Sequence, residues 1–556
     1  MNVSRQVLAV VLTATSLAAA ACSSASSAGT KVAEELAGTR PRFASDDPIA
    51  RACALPKTYL TRIWRGYNPS HSEDVTMLPR QPDYFGSFTY RGHSGPWRYL
   101  QQVPLVLYGS HIAQSGRVTG EVGLRDIYPT VGRLLHEPLP MRSGSVLTEA
   151  LEQTAAPRPR LVIVVMWDGV GRNVLERWPE AWPHLRHLEH VGTSYFNATV
   201  GSSPSITPAT HSTLGTGAFP RQHGVTGIEY RTDAGNVRTA FAKRDPRDLK
   251  LSTYADVIDR ELDNEPKVGT LAWRSWHLGM LGHGLATPGG DADQLALIGY
   301  RGRIGGNPHF YSTPRYMRTL GGFDRYADEL DRSDGKLDGK WRGTSITSEE
   351  DNPAWVRFES HGLQTMLRRG HYGADETPDM FFTNFKSTDI VGHLFSMDDP
   401  RMKDVLQAQD AALGRLVHYL KHEVGNFTLI VSADHGHTPS ADRTGAWPVM
   451  QTELAHDIDR HFGAPSGRSL VLTTSATGPF LDRKLMNKLG VTDDDVARFM
   501  NTYTIADNWT GSNLPDGYQR RGDEEIFSAV FPGSDLPQIM QCAFASPAPT
   551  PSAGGG

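Results

Sequence analysis

The chain has 556 residues, 39% of them apolar and 21% charged, with a net charge of −5. That length can bury a large core in about two to four structural units, and the composition is that of an ordinary globular protein. No cluster of lysine and arginine follows a groove-binding pattern, which argues against nucleic-acid binding.

Arg5 precedes the apolar run 7–12 and the small-residue stretch 17–21. This predicts a secretory signal peptide over 1–21, too short to cross a membrane as a helix. The small residues before Cys22, followed by CSSASSAG, resemble a bacterial lipobox. The resemblance implies cleavage before Cys22, lipidation of its thiol and anchoring on the outer face of the cytoplasmic membrane. An ordinary signal peptide of a secreted protein is the alternative. Residues 22–48 are small and polar, as in a flexible linker. The two remaining cysteines, Cys53 and Cys542, read in an exported protein as one disulfide, with two free buried thiols as the alternative. No later segment is long and apolar enough to span a membrane, so the body is expected outside the cytoplasm and soluble.

Residues 59–67 and 74–78 read as short strands, 92–96 (GHSGP) as a turn and 103–108 (VPLVLY) as a buried strand. Asp126 is placed to cap a helix burying Ile127, Val131, Leu134 and Leu135. The unbroken apolar run 161–166 (LVIVVM) ends in Trp167-Asp168-Gly169, the kind of run that parallel strands covered on both faces show. Two more segments share this grammar: 380–385 leads to Lys386, Asp389 and His393, and 427–432 leads to Asp434-His435-Gly436. Each acidic residue falls at or past the carboxyl end of its strand, where doubly wound sheets assemble ligand sites. The expected fold is therefore α/β, a doubly wound, mixed but mostly parallel sheet with helices on both faces. Residues 229–350, rich in Gly, Arg and turn signals, read as a cap or insertion. Residues 441–545, with a helix at 451–461 and a strand at 469–474, read as a smaller α/β subdomain, and 546–556 as a disordered tail.

Within 203–217 (SPSITPATHSTLGTG), Thr207 precedes Pro208 and a helix-competent run. A hydroxyl on a loop-to-helix turn is exposed beside helix N–H groups, where a nucleophile attacking an anion belongs. An ordinary N-cap with Pro at the first helical position reads equally well from this stretch alone. Asp168, Asp389, His393, Asp434 and His435 are residue types that ligate divalent cations, and Asp389 and His393 lie one turn apart on a helix face. Two such ions could activate Thr207, polarise a phosphoryl oxygen and stabilise the leaving oxygen.

The series Asp168-Gly169, Thr207 ahead of Thr216-Gly217, Asp389-x-x-x-His393 and Asp434-His435-Gly436 resembles the alkaline phosphatase superfamily, nearest its type I phosphodiesterase/nucleotide pyrophosphatase branch and the threonine-nucleophile phosphatases. The resemblance covers most of 50–545. It implies a catalytic core at 156–228 and 351–440, a phosphate-ester or nucleotide substrate, and two Zn²⁺ ions or other divalent metals. One ion would be held by Asp168, Thr207, Asp434 and His435, the other by Asp389, His393 and a further histidine.

In relatives that histidine lies well after the DHG motif, in a turn followed by a VPLxxYG strand and a DIxPT helix. Here GHSG at 92–95, VPLVLYG at 103–109 and DIYPT at 126–130 reproduce that order near the amino end. The expectation is a circular permutation in which 49–155 completes the core, His93 is the sixth ligand and a Cys53–Cys542 disulfide closes the old break. A water or His456 is the alternative ligand. Where relatives often carry Asn, five residues after the His of an HG(I/V) motif, this chain has Ile228, and the Lys-x-Arg clamp of monoester-preferring relatives is replaced by Trp273-Arg274-Ser275. Since a monoester dianion needs more cationic donors than a diester monoanion, this favours diesters or pyrophosphates over monoesters. Lys386, Arg172 and Arg274 are the candidate substrate cations. A sulfatase would need Pro and Arg after an oxidisable Cys or Ser, which the Thr207 stretch lacks. A metal-binding surface lipoprotein without activity is the non-enzymatic alternative.

Overall fold

The computed structural model describes residue 43 and residues 45–152, 157–299, 302–346 and 351–545. The expected signal peptide, Cys22, most of the linker and the tail fall outside them.

The central sheet has nine strands: β1 (Leu105–Gly109), β2 (Gly116–Val118), β3 (Leu161–Trp167), β4 (Thr193–Tyr195), β5 (Val268–Ala272), β6 (Gln294–Gly299), β7 (Arg303–Gly305), β8 (Asp379–Phe385) and β9 (Phe427–Ser432). Their spatial order is β7-β6-β5-β8-β3-β9-β1-β4-β2. The five strands from β6 to β9 are mutually parallel. Strand β7 pairs antiparallel at one edge, and β1 opens an antiparallel turn toward β4 at the other. The fold is thus a mixed, mostly parallel α/β sheet, as the strand grammar predicts.

Strand β3 sits between β8 and β9 with all seven residues buried. Burying each large aliphatic side chain there contributes about 1.5–3 kcal/mol, so the run has no other place to go. The register sets the site. Phe385 of β8 faces Trp167 of β3, and Ser432 of β9 faces Met166. The residues that follow these three strands therefore emerge side by side at one sheet edge.

Three expectations need correction. Residues 59–67 are not a strand: Lys57–Gly66 is a helix, α1. Leu60 and Ile63, with Trp64 and Tyr67, follow helical spacing and pack on Ala529, Phe531, Leu536 and Ile539. The expected helix after Asp126 is present (α2, Ile127–Leu135), but the Asp126 carboxylate does not cap it. It accepts from Gly123 N and Ser145 N instead, both at 2.7 Å. Finally, 229–350 is not a cap alone, because it supplies β5, β6 and β7 to the central sheet. Strand β5 reads Val-Gly-Thr-Leu-Ala, and its Gly269 and Thr270 interrupt the apolar run that betrays the other parallel strands.

Residues 441–545 build a second core around Trp447, Leu454, Ile458 and Phe527, completed by Val75, Met77 and Phe85 from the amino-terminal segment. Strand Val75–Pro79 pairs antiparallel with Phe527–Pro532. Nearby, Cys53 and Cys542 are joined as a disulfide, with Cα atoms 5.9 Å apart.

Candidate active site

Thr207 opens helix α3 (Thr207–Thr216), with Ile206 as its N-cap and Pro208 next in line. The hydroxyl makes no capping bond, so the plain N-cap reading does not describe it. It accepts a hydrogen bond from Lys386 Nζ at 3.1 Å and lies 3.5 Å from Asp168 Oδ1. The helix ends at Gly217, whose φ of +67° suits glycine, and a Cβ there would come within 2.6 Å of the Tyr128 side chain.

Asp168 follows β3. Its Oδ2 accepts from Asn384 Nδ2 at 3.1 Å and its Oδ1 from Lys386 Nζ at 2.9 Å. Beyond β8, helix α4 (Ser387–Phe395) carries Asp389 and His393 on one face, with His393 Nε2 3.3 Å from Asp389 Oδ2. His93 arrives from the turn ahead of β1, its Nε2 3.2 Å from Asp389 Oδ1. The His93 ring stacks on His435 with centroids 3.6 Å apart. His435 Nε2 lies 3.3 Å from Asp434 Oδ2 and 3.4 Å from Asp168 Oδ1. Of the four groups of ligand atoms among the described residues, two take in the residues named above: Asp168, Asp434 and His435 in one, and His93, Asp389 and His393 with His437 in the other.

Tautomers separate ligands from supports. His393 Nδ1 faces the Arg91 carbonyl at 2.5 Å and His435 Nδ1 the Gly436 carbonyl at 3.0 Å. A carbonyl only accepts, so both rings hold a proton on Nδ1, and in the neutral form each turns an Nε2 lone pair toward the carboxylates. His437 is reversed: its Nδ1 accepts from Thr438 N at 3.0 Å, so the neutral ring carries its proton on Nε2, 3.7 Å from Asp389 Oδ1. At that distance His437 Nε2 makes no hydrogen bond to Asp389, and its N–H only faces the carboxylate.

Lone pairs facing carboxylates repel unless a cation stands between them. Asp389 Oδ1, Asp434 Oδ2 and His435 Nε2 are buried and make no hydrogen bond. Leaving such atoms unsatisfied costs about 1–3 kcal/mol each. Carboxylate and imidazole donors converging in this way fit divalent cations.

Burial alone would raise Asp168 and Asp389. The Lys386 ammonium, with His393 in the case of Asp389, holds both below the ordinary carboxylate range. Asp434 is pushed up by burial, with Asp168 adding to it. Burial opposes charge on His435, but Asp434 and Asp168 raise it to about 9. His437 is lowered to about 4 by burial. With no cation bound, the His435 imidazole therefore carries a proton at neutral pH that a metal must displace. Divalent-metal uptake is expected to release about one proton and to tighten as pH rises from about 6 to 9. Titration calorimetry in buffers of different ionisation enthalpy measures this, and uptake without proton release would contradict the assignment.

The site opens into a cleft of about 370 Å³ whose walls include Tyr90, His93, Thr207, Trp273, Trp276 and Lys386. Of the candidate substrate cations, Lys386 alone lines it. Arg172 is buried and committed to Glu189 Oε1 at 2.6 Å, and Arg274 lies over the Trp273 ring. His456 is exposed on helix Gln451–His461, outside both ligand sets. Besides His437, sequence reasoning missed Asn384, His211 and His277. His211 and His277 face each other through their Nδ1 atoms at 2.9 Å behind Asp168. His211 stands one helical turn after Thr207, a visible signal; His277 gives none.

Comparison with known proteins gives the class first: this is a phosphoric ester hydrolase of the alkaline phosphatase superfamily. More narrowly, residues 162–475 match the family model for type I phosphodiesterase / nucleotide pyrophosphatase, and the chain belongs to that family. Relatives are distant. A protein named calcium-transporting ATPase from Myroides odoratus is 22% identical over 432 residues, 67% of this chain and 73% of that protein. Alkaline phosphatase PafA from Elizabethkingia meningoseptica is 20% identical over 423 residues, 64% and 74% respectively. The crystal structure of wild-type PafA aligns over 68% of this chain and 85% of that one, at 17% identity and a TM-score of 0.48.

Proposed function

We propose that the protein hydrolyses phosphodiester or nucleotide pyrophosphate bonds through a covalent phosphothreonine at Thr207. The observation that carries this is the Thr207 hydroxyl: on the first turn of a buried helix it caps nothing and stands beside Asp168 and Lys386 in the lining of the cleft. Asp168, Asp434, His435 and Thr207 would hold one divalent cation, and Asp389, His393 and His93 a second. When bound, this pair supplies positive charge at the attacking, leaving and non-bridging oxygens. Thr207 is positioned for attack by the rigid start of α3, and Asp168 by Asn384, so neither group has to reorganise to react.

Among the described residues lining the cleft, Lys386 is the one lysine or arginine, and Tyr90, Trp273 and Trp276 add aromatic surface. A single cation and aromatic walls suit a monoanionic phosphoryl group carrying a flat leaving group. Phosphomonoester hydrolysis is the second reading, favoured by relatives that are named alkaline phosphatases. The test compares kcat/KM for p-nitrophenyl phosphate, bis-p-nitrophenyl phosphate and a dinucleotide pyrophosphate on zinc-loaded protein. A large preference for the monoester would overturn the diesterase reading.

The circular permutation belongs to the same proposal. It is supported by His93 lying beside Asp389 although the family match begins only at residue 162, and by the disulfide joining 53 to 542.

A further inference from the structure

Lys386 is buried, with a relative exposure of 2%, and the three N–H groups of its ammonium meet three different partners. These are Asp389 Oδ2 at 2.8 Å, Asp168 Oδ1 at 2.9 Å and Thr207 Oγ1 at 3.1 Å. Asp168 and Asp389 belong to different ligand sets, so this one cation bridges the two half-sites and touches the nucleophilic oxygen as well. The backbone holds it there: Lys386 follows β8 directly and precedes α4, one turn before Asp389. An uncompensated ammonium would not stay charged in such a place. Here the Asp168 and Asp389 carboxylates, at 2.9 and 2.8 Å, compensate its charge.

We propose that Lys386 is a resident third cation of the site, which donates to the Thr207 oxygen once its hydroxyl proton has been released to solvent, and sets the charge of the substrate that fits. This rests on the phosphothreonine reading above. Two dications and the ammonium, set against three carboxylates and the alkoxide, leave one net positive charge. A phosphodiester monoanion cancels that charge, whereas a monoester dianion overshoots it. The same ammonium repels the dications across a few ångströms of dry interior, so it weakens metal binding while it strengthens catalysis. A residue that merely positioned Asp168 and Asp389 would do the reverse, since losing it would weaken both.

The experiment measures zinc affinity and bis-p-nitrophenyl phosphate turnover of Lys386→Met side by side with wild type, at mildly alkaline pH where the carboxylates stay ionised. Zinc is expected to bind at least tenfold more tightly, while kcat/KM falls at least a hundredfold. Unchanged or weaker zinc binding, or retained turnover, overturns the proposal. If Lys386→Met does not fold, Lys386→Gln keeps a donor toward Thr207 without the charge, and the same opposed pair of changes is required of it. Thr207→Ala separates the two readings. Turnover surviving in that variant overturns the nucleophile assignment. Turnover lost there, with zinc affinity unmoved in the Lys386 variants, overturns the role of Lys386 alone.

Discussion

Thr207→Ala is expected to lower ester turnover by about 10⁴-fold or more, the scale seen when a covalent nucleophile is deleted from an otherwise intact site. Metal content should survive. Six of the seven candidate ligands are untouched, and the methyl group of alanine fits the first helical turn, where the hydroxyl contributes no cap. Pro208 and the buried face of α3 remain, so the variant should fold normally. Thr207→Ser should retain part of the activity, since it keeps the oxygen and loses only a methyl group. Metal analysis, circular dichroism and kcat/KM on the same preparations decide the matter, and a Thr207→Ala enzyme that still turns over would leave the site without its nucleophile.

Replacing His93 should produce the second largest effect. Losing even an outer partner of a metal ligand typically costs 10–100-fold, so a direct ligand should cost at least about 100-fold in kcat/KM, together with about one metal equivalent. His93→Ala also removes a ring stacked 3.6 Å from His435, so some stability will go with it. His456→Ala is the control: its side chain is exposed and belongs to neither ligand set, and the change should leave both metal content and activity alone. Unchanged zinc stoichiometry and unchanged activity in His93→Ala would remove the sixth ligand and, with it, the argument for permutation.

Five of the site residues were legible because parallel strands obey a simple rule. Apolar runs such as LVIVVM must be buried on both faces, and the polar residue that ends each run must surface at the carboxyl edge. Asp168, Asp389, His393, Asp434 and His435 all follow from that rule. Strand β5 was not legible, because Gly269 and Thr270 break its run and its burial comes from neighbours rather than from its own hydrophobicity. Residues 57–66 form helix α1 rather than a strand because Leu60 and Ile63 bury one helical face.

The sequence by itself determined which chemistry is available: carboxylates and imidazoles at strand ends, and a hydroxyl ahead of Pro208. Tertiary structure decided which of them meet. The aligned ends of β8, β3 and β9 bring Lys386 onto both Asp168 and Asp389, a contact between residues 218 positions apart that no local pattern encodes. It also decided proton placement, leaving Nε2 of neutral His435 and His393 as an acceptor toward a cation and Nε2 of His437 protonated, because that depends on which backbone group faces each ring. Local sequence sets the period and the caps of each element, whereas the partner of a buried charge is set by whatever the packed sheet places opposite it.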